Sequence, residues 1–161
     1  MTDIKQKFGT ANQAITITLN SLADDGARES SAVDNSSNLF LDVLVQLKIL
    51  TSGTAPAGDK NLLVYAYGSS DGGATYSGAA TGSDAAYGGV AGQSKENMKL
   101  LGVISVDAAN ETFESDVFSI AAAFGGVVPD HWGIMVVNQY GGALAASGCS
   151  AFYQGILNQS V

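Results

Sequence analysis

The chain has 161 residues, of which 46% are hydrophobic and only 14% charged, and its formal net charge is −8. That length suits one domain with one sizeable core, and so few charges leave the surface to Ser, Thr, Asn, Gln and Gly. The acidic balance, with no cluster of Lys or Arg, argues against nucleic-acid binding and against an anionic membrane surface, and no apolar run approaches a bilayer span.

Met1 is followed by a polar stretch with no apolar signal-peptide region, and Cys149 is the single cysteine, so no intrachain disulfide forms. Cytoplasmic synthesis is the expectation. Residues 1–13 hold two of the seven basic side chains and show no strand pattern, which predicts an extended N-terminal arm ahead of a domain over residues 14–161. Within that arm, Ile4, Lys5, Lys7 and Phe8 are candidate protein-contact residues, the apolar pair as anchors and the lysines as partners for carboxylates.

From Ala14 to Leu19 the alternation of Ile15, Ile17 and Leu19 with Thr16 and Thr18 predicts a half-buried strand. Residues 20–38 are dense in turn formers and read as a long loop or one short extra strand. Leu39 to Leu50 alternates with a period of two, Leu41, Val43, Val45, Leu47 and Ile49 on one face, which predicts strand over helix despite its good helix formers. Asn61 to Gly68 reads the same way. Residues 68–94, rich in Gly, Ser and Tyr, predict an exposed excursion with a brief hairpin near Thr75–Tyr76. There Tyr76 and Tyr87 are candidate contact residues, because Tyr supplies contact area and Gly and Ser supply adaptability.

Met98 to Val106, Ser115 to Ala121, His131 to Asn138 and Ser150 to Leu157 predict four further strands, the third so continuously apolar that it belongs at a sheet centre. Short strands separated by turn signals, with no amphipathic helix between them, predict an all-β protein, an antiparallel β-sandwich of jelly-roll type.

The chemistry-bearing inventory is thin. His131 is the only histidine and reads as a turn residue capped by Asp130; no phosphate-binding glycine motif occurs. One Cys and one His do not make a zinc site. Asp24, Asp25, Asp34, Asp71 and Asp84 sit in candidate calcium-binding loops, yet turn formation explains the same residues. Glu111 and Glu114 receive no role. No catalytic residue, metal site or cofactor is assigned. A sugar-stacking surface built from Trp132, Tyr140, Phe152 and Tyr153, or from Tyr65, Tyr67, Tyr76 and Tyr87, is the carbohydrate-binding alternative, against which stands the tendency of sandwich aromatics to be core.

The stretches KFGTANQAITITLNSLA, RESSAVDNSSNLFLDVLVQLKI, AAAFGGVVPDHWGIMVVNQYGGAL and AFYQGIL together resemble a family of small structural proteins encoded in tailed-phage genomes. The resemblance implies a virion component, a capsid decoration or cement protein ahead of a neck or tail protein. It implies the major capsid protein or other virion proteins as partners, and a homo-oligomer, with trimers common among such proteins.

Overall fold

The computed structural model describes residues 3–89 and 94–161. The chain is almost all β, in two packed antiparallel sheets. The first sheet contains β1 (Ile4–Phe8), β2 (Gln13–Ala14), β5 (Asp42–Leu50), β9 (Thr112–Glu114), β10 (Phe118–Ser119) and β12 (Ser150–Ser160). Its path runs β1-β12-β5-β10, with β2 beside β12 and β9 beside β5. The second contains β3 (Ala27–Glu29), β4 (Val33–Asp34), β6 (Asn61–Ser69), β7 (Ala85–Ala86), β8 (Lys99–Ser105) and β11 (His131–Gln139). It runs β7-β3-β11-β6-β8, and β4 also pairs with β11. The longest pairings are antiparallel, β5 with β12 in one sheet and β6 with β11 in the other.

The main core lies between the sheets. Val43, Val45, Leu47 and Ile49 of β5 face Leu62, Val64 and Ala66 of β6 and Trp132, Ile134 and Val136 of β11, all fully buried. Period-two alternation delivers these side chains to one face with no helix required. Trp132 and Tyr153 meet edge to face across the core, ring centroids 5.4 Å apart, so aromatic packing ties β11 to β12. Gly155 of β12 is required there, because a Cβ would collide with the Phe40 ring.

The outer face of the second sheet is also apolar, and the chain covers it. Tyr67, Met135 and Val137 point away from the main core into a second cluster with Ala80 and Met98, against which Tyr65, Tyr76 and Tyr87 pack. The segment expected to be an exposed excursion is therefore a lid over its described part. It contains a 3₁₀ turn at Ser77–Ala79 in place of the expected hairpin, and β7, which pairs with β3. Residues 90–93 of that prediction lie outside the described residues. An apolar sheet face this large is covered because leaving it wet forfeits about 25 cal/mol per Å².

Other departures have local causes. Ile15, Ile17 and Leu19 alternate with exposed Thr16 and Thr18 as expected. The segment nonetheless forms no continuous ladder, because its backbone bonds go to Ala151, Ser31 and the Asp84 carboxylate in turn. Residues 20–38 carry two short strands, β3 and β4, not one. The predicted strand Ser115 to Ala121 shrinks to β10 and runs into a one-turn helix α1 (Ile120–Ala123). The Ser119 hydroxyl caps that turn by accepting from the Ala122 N–H, and the Asp42 carboxylate accepts from Ser119 Oγ and the Ala121 N–H. The largest correction concerns the arm: Ile4–Phe8 is not a partnerless tail but an edge strand antiparallel to the end of β12, from Ile4 opposite Ser160 to Phe8 opposite Ile156.

Gly133 of β11 sits directly beneath the Tyr67 ring, and a Cβ there would overlap it. Tyr67 donates its hydroxyl proton to the Ser30 carbonyl at 2.6 Å and has no room to retreat. Gly133→Ala is expected to cost about 1–3 kcal/mol by overpacking, read as a lower urea midpoint with an unchanged β-type circular dichroism spectrum.

Candidate interaction surfaces

Beyond Ile156, β12 has lost its neighbour on one side, because β5 begins at Asp42, opposite that residue. Leu157 to Ser160 therefore pair only with β1, and the two strands leave the sandwich as a ribbon. All five β1 side chains are exposed, Ile4 at 73% and Phe8 at 60%. Strand alternation places Ile4, Gln6 and Phe8 on one face and Lys5 and Lys7 on the other. Phe8 shares its face with Ile156 directly opposite, while Lys7 lies opposite Leu157, which reaches the core. Neither lysine pairs with a carboxylate among the described residues. Leu39 and Leu41, exposed at 71% and 46%, lie at the same end, the Leu41 N–H donating to the Ile156 carbonyl.

The boundary of the arm also moves. Gly9 donates its N–H to the Gly155 carbonyl at 2.8 Å and accepts from Gln154 Nε2, and Gln13 contacts the Tyr153 hydroxyl at 3.1 Å. The chain from Gly9 onward belongs to the sandwich, and the projecting element is residues 3–8 with 157–161. Its other half carries no signal in the sequence, since the apolar alternation of β12 ends at Leu157 and Asn158, Gln159 and Ser160 follow.

Tyr76 and Tyr87 lie on the other sheet, away from the ribbon. Tyr76 packs edge to face on Tyr67, ring centroids 5.4 Å apart, and Tyr87 donates to the Gly78 carbonyl at 2.7 Å. Burial pushes both phenols above their ordinary pKa. Both rings are half-buried and hold the lid on its sheet. Trp132, Tyr140 and Tyr67 are fully buried and Tyr153 nearly so, which removes them as stacking platforms.

Three of the candidate calcium aspartates, Asp24, Asp71 and Asp84, act as ties. Asp71 accepts from Ser69, Ala74 and Thr75, and Asp24 accepts from the Gly141 N–H. The hydrogen bonds from Thr75 and Ser69 hold the Asp71 carboxyl well below its usual range. Asp84 bonds Thr18 and forms a 2.6 Å pair with Arg28, pinning the lid to β3 and to the chain after β2. Burial pushes its carboxyl up, but the Arg28 and Thr18 hydrogen bonds outweigh it and leave the pKa lowered. Glu29, buried to 1% exposure, accepts from the Thr81 N–H and hydroxyl at 2.8 and 2.9 Å. No three His, Cys, Asp or Glu side chains converge as metal ligands among the described residues.

His131 sits between Asp34 and Asp130, whose oxygens lie 3.8 and 3.7 Å from the imidazole nitrogens. Asp130 accepts the His131 backbone N–H, as a turn cap does, and the His131 Nδ1 atom is buried without a hydrogen bond. Asp34, Asp71 and Asp130, from three separate stretches of chain, all act on the Tyr76 phenol beside this histidine, a convergence with no signature in local sequence. Beside them lies an open cleft of about 500 Å³ lined by Gly68, Phe124, Val127, Pro129 and Asp130 among others. Both oxygens of its one carboxylate are occupied by the Gly72 and His131 N–H groups. Burial raises the pKa of the Cys149 thiol, which accepts from the Leu50 N–H at 3.3 Å. No helix of the described residues is long and apolar enough to cross a membrane. The sequence matches no known protein family, and no curated protein or solved structure matches it.

Carboxylates with lowered folded-state pKa values stabilise above the unfolded value, and that stability is lost as pH falls through the folded one. For Asp71 and Asp84 the loss sets in below about pH 4. Asp84→Asn is expected to cost about 1–3 kcal/mol near neutral pH. Urea midpoints measured across the acid range should fall less steeply in this variant than in the parent chain.

Proposed function

We propose that the chain is a structural component of a tailed-phage virion, in first place a capsid decoration protein that binds and bridges capsid subunits, and that it acts by binding rather than by catalysis. The virion assignment rests on the resemblance of four sequence stretches to small tailed-phage proteins. The observation that carries the binding half is the ribbon: two large apolar side chains, and two lysines without a carboxylate partner among the described residues, presented on a strand that pairs there with β12 alone. Such a ribbon is marginal by itself and becomes worth ordering when a partner covers it.

Each apolar anchor buried on a partner contributes about 1.5–3 kcal/mol before ordering costs, and Lys5 and Lys7 suit a surface bearing carboxylates. A sandwich over a junction between subunits, with its ribbon on one of them, gains affinity through shared contacts because the second contact forms at high effective concentration. Its site of action is then the virion, with the major capsid protein as partner and assembly following synthesis in the host cytoplasm.

The test is cosedimentation with heads assembled from the capsid gene of the same genome, with tails as a parallel sample. The parent chain is expected to sediment with heads. Deletion of residues 1–8 and the pair Ile4→Asp with Phe8→Asp are expected to weaken binding at least tenfold while shifting the melting temperature by only a few degrees. His131→Ala is expected to bind as the parent does. Binding to tails alone moves the protein to the neck or tail, binding to neither removes the virion assignment, and undiminished head binding by the ribbon variants removes the ribbon's role.

A further inference from the structure

Among the described residues, each sheet of the sandwich ends in one long edge without a strand partner. In the first sheet it is β1, five residues; in the second it is β8, seven residues, paired on one side only with β6. The opposite edges are two- or three-residue strands. Uncovered edges of this length template pairing with another chain unless something blocks it.

β8 is shaped for a partner. A register shift opposite Val64 and Tyr65 puts Leu100 opposite Tyr65 and Val103 opposite Leu63, so both residues project from the outer face of the sheet although they are three apart in sequence. They are exposed at 54% and 53%, beside half-buried Tyr65 and Leu63. On the inner side β8 borders a groove of about 480 Å³ toward Val117, Phe118 and α1, in which Asp116 is the one charged lining residue.

Charge selects among the pairings these edges allow. β1 carries +2, which leaves −10 on the rest of the chain. Antiparallel pairing of β1 with β1 of a second copy, centred on Gln6, sets Lys5 against Lys7 twice. Pairing β8 with β8 brings two acidic bodies together. Pairing β1 with β8 brings the cationic strand to a body of net charge −10, with Lys99 at the end of β8 that strand's one cation, and sets Ile4 and Phe8 beside Leu100 and Val103. We propose that the β1 edge of one copy adds to the β8 edge of a second copy of this chain, a head-to-tail contact that extends one sheet into the other.

The inference rests on the reading of the chain as an assembling structural protein and names the surfaces through which copies meet. A contact that uses a different surface on each partner repeats, closing into a ring or running on as a filament. One added strand buries less than the roughly 1,000 Å² of a stable interface, so the contact is weak in solution and strengthens where copies are already held together on a template.

The experiment is analytical ultracentrifugation of the purified full chain without particles, so that its outcome is independent of head binding. The parent is expected to self-associate with rising concentration. Lys5→Glu with Lys7→Glu, and separately Leu100→Lys with Val103→Lys, all exposed positions, are each expected to weaken association at least tenfold with an unchanged circular dichroism spectrum. Mixing the two variants is expected to restore it, because the acidic β1 of one then meets the basic β8 of the other. A monomeric parent at millimolar concentration, a Lys5/Lys7 variant that associates like the parent, or a mixture that fails to recover each overturns the proposal, whether or not the protein binds heads.

Discussion

Everything in this structure follows from one constraint: β6 and β11 form a sheet centre that is apolar on both faces. One face is closed by β5 and β12, which is the ordinary sandwich core. The other displays Tyr67, Met135 and Val137, and a single chain of this size has no third sheet with which to cover them. The glycine-rich segment after β6 does so, held by Asp84, Glu29 and Asp71 through hydrogen bonds that a wet, mobile loop would not keep. The lid explains why so many acidic residues are engaged in turns and ties and why the tyrosines of the segment face inward.

The strands were legible because burial on one face writes a period of two into β5 and β12, and two apolar faces write nearly unbroken apolar runs into β6 and β11. The lid was not legible. Gly, Ser and Tyr carry no periodicity, and the reason the segment packs down lies in Leu63, Tyr65 and Tyr67, which read as the second face of a strand with nothing in the local sequence to say what lies over it. The arm was half legible. Ile4, Lys5, Lys7 and Phe8 stood out by charge and hydrophobicity, while their pairing with residues 156–160 depends on contacts between opposite ends of the chain, which no local pattern records. The convergence of Asp34, Asp71 and Asp130 on Tyr76 is hidden for the same reason.

The division of labour is physical. Residues that hold the domain together are buried or tied by side-chain hydrogen bonds, and β1 has neither: it draws its order from one ladder of backbone bonds. Local stability is expected to follow that difference, high at β11 and low at β1, since opening the ribbon exposes almost no apolar surface that is not already wet. Binding elements are drawn from the low-stability end of a fold because their ordering can then be coupled to a partner.

The measurement that addresses this account most directly is amide hydrogen exchange, residue by residue, on the free protein and on the same protein bound to assembled heads. The account predicts that amides of β11 are protected in both states, whereas those of residues 4–8 and 157–160 exchange quickly in the free protein and become protected on binding. Ribbon amides as protected as those of β11 in the free protein, or unchanged by binding, would contradict it.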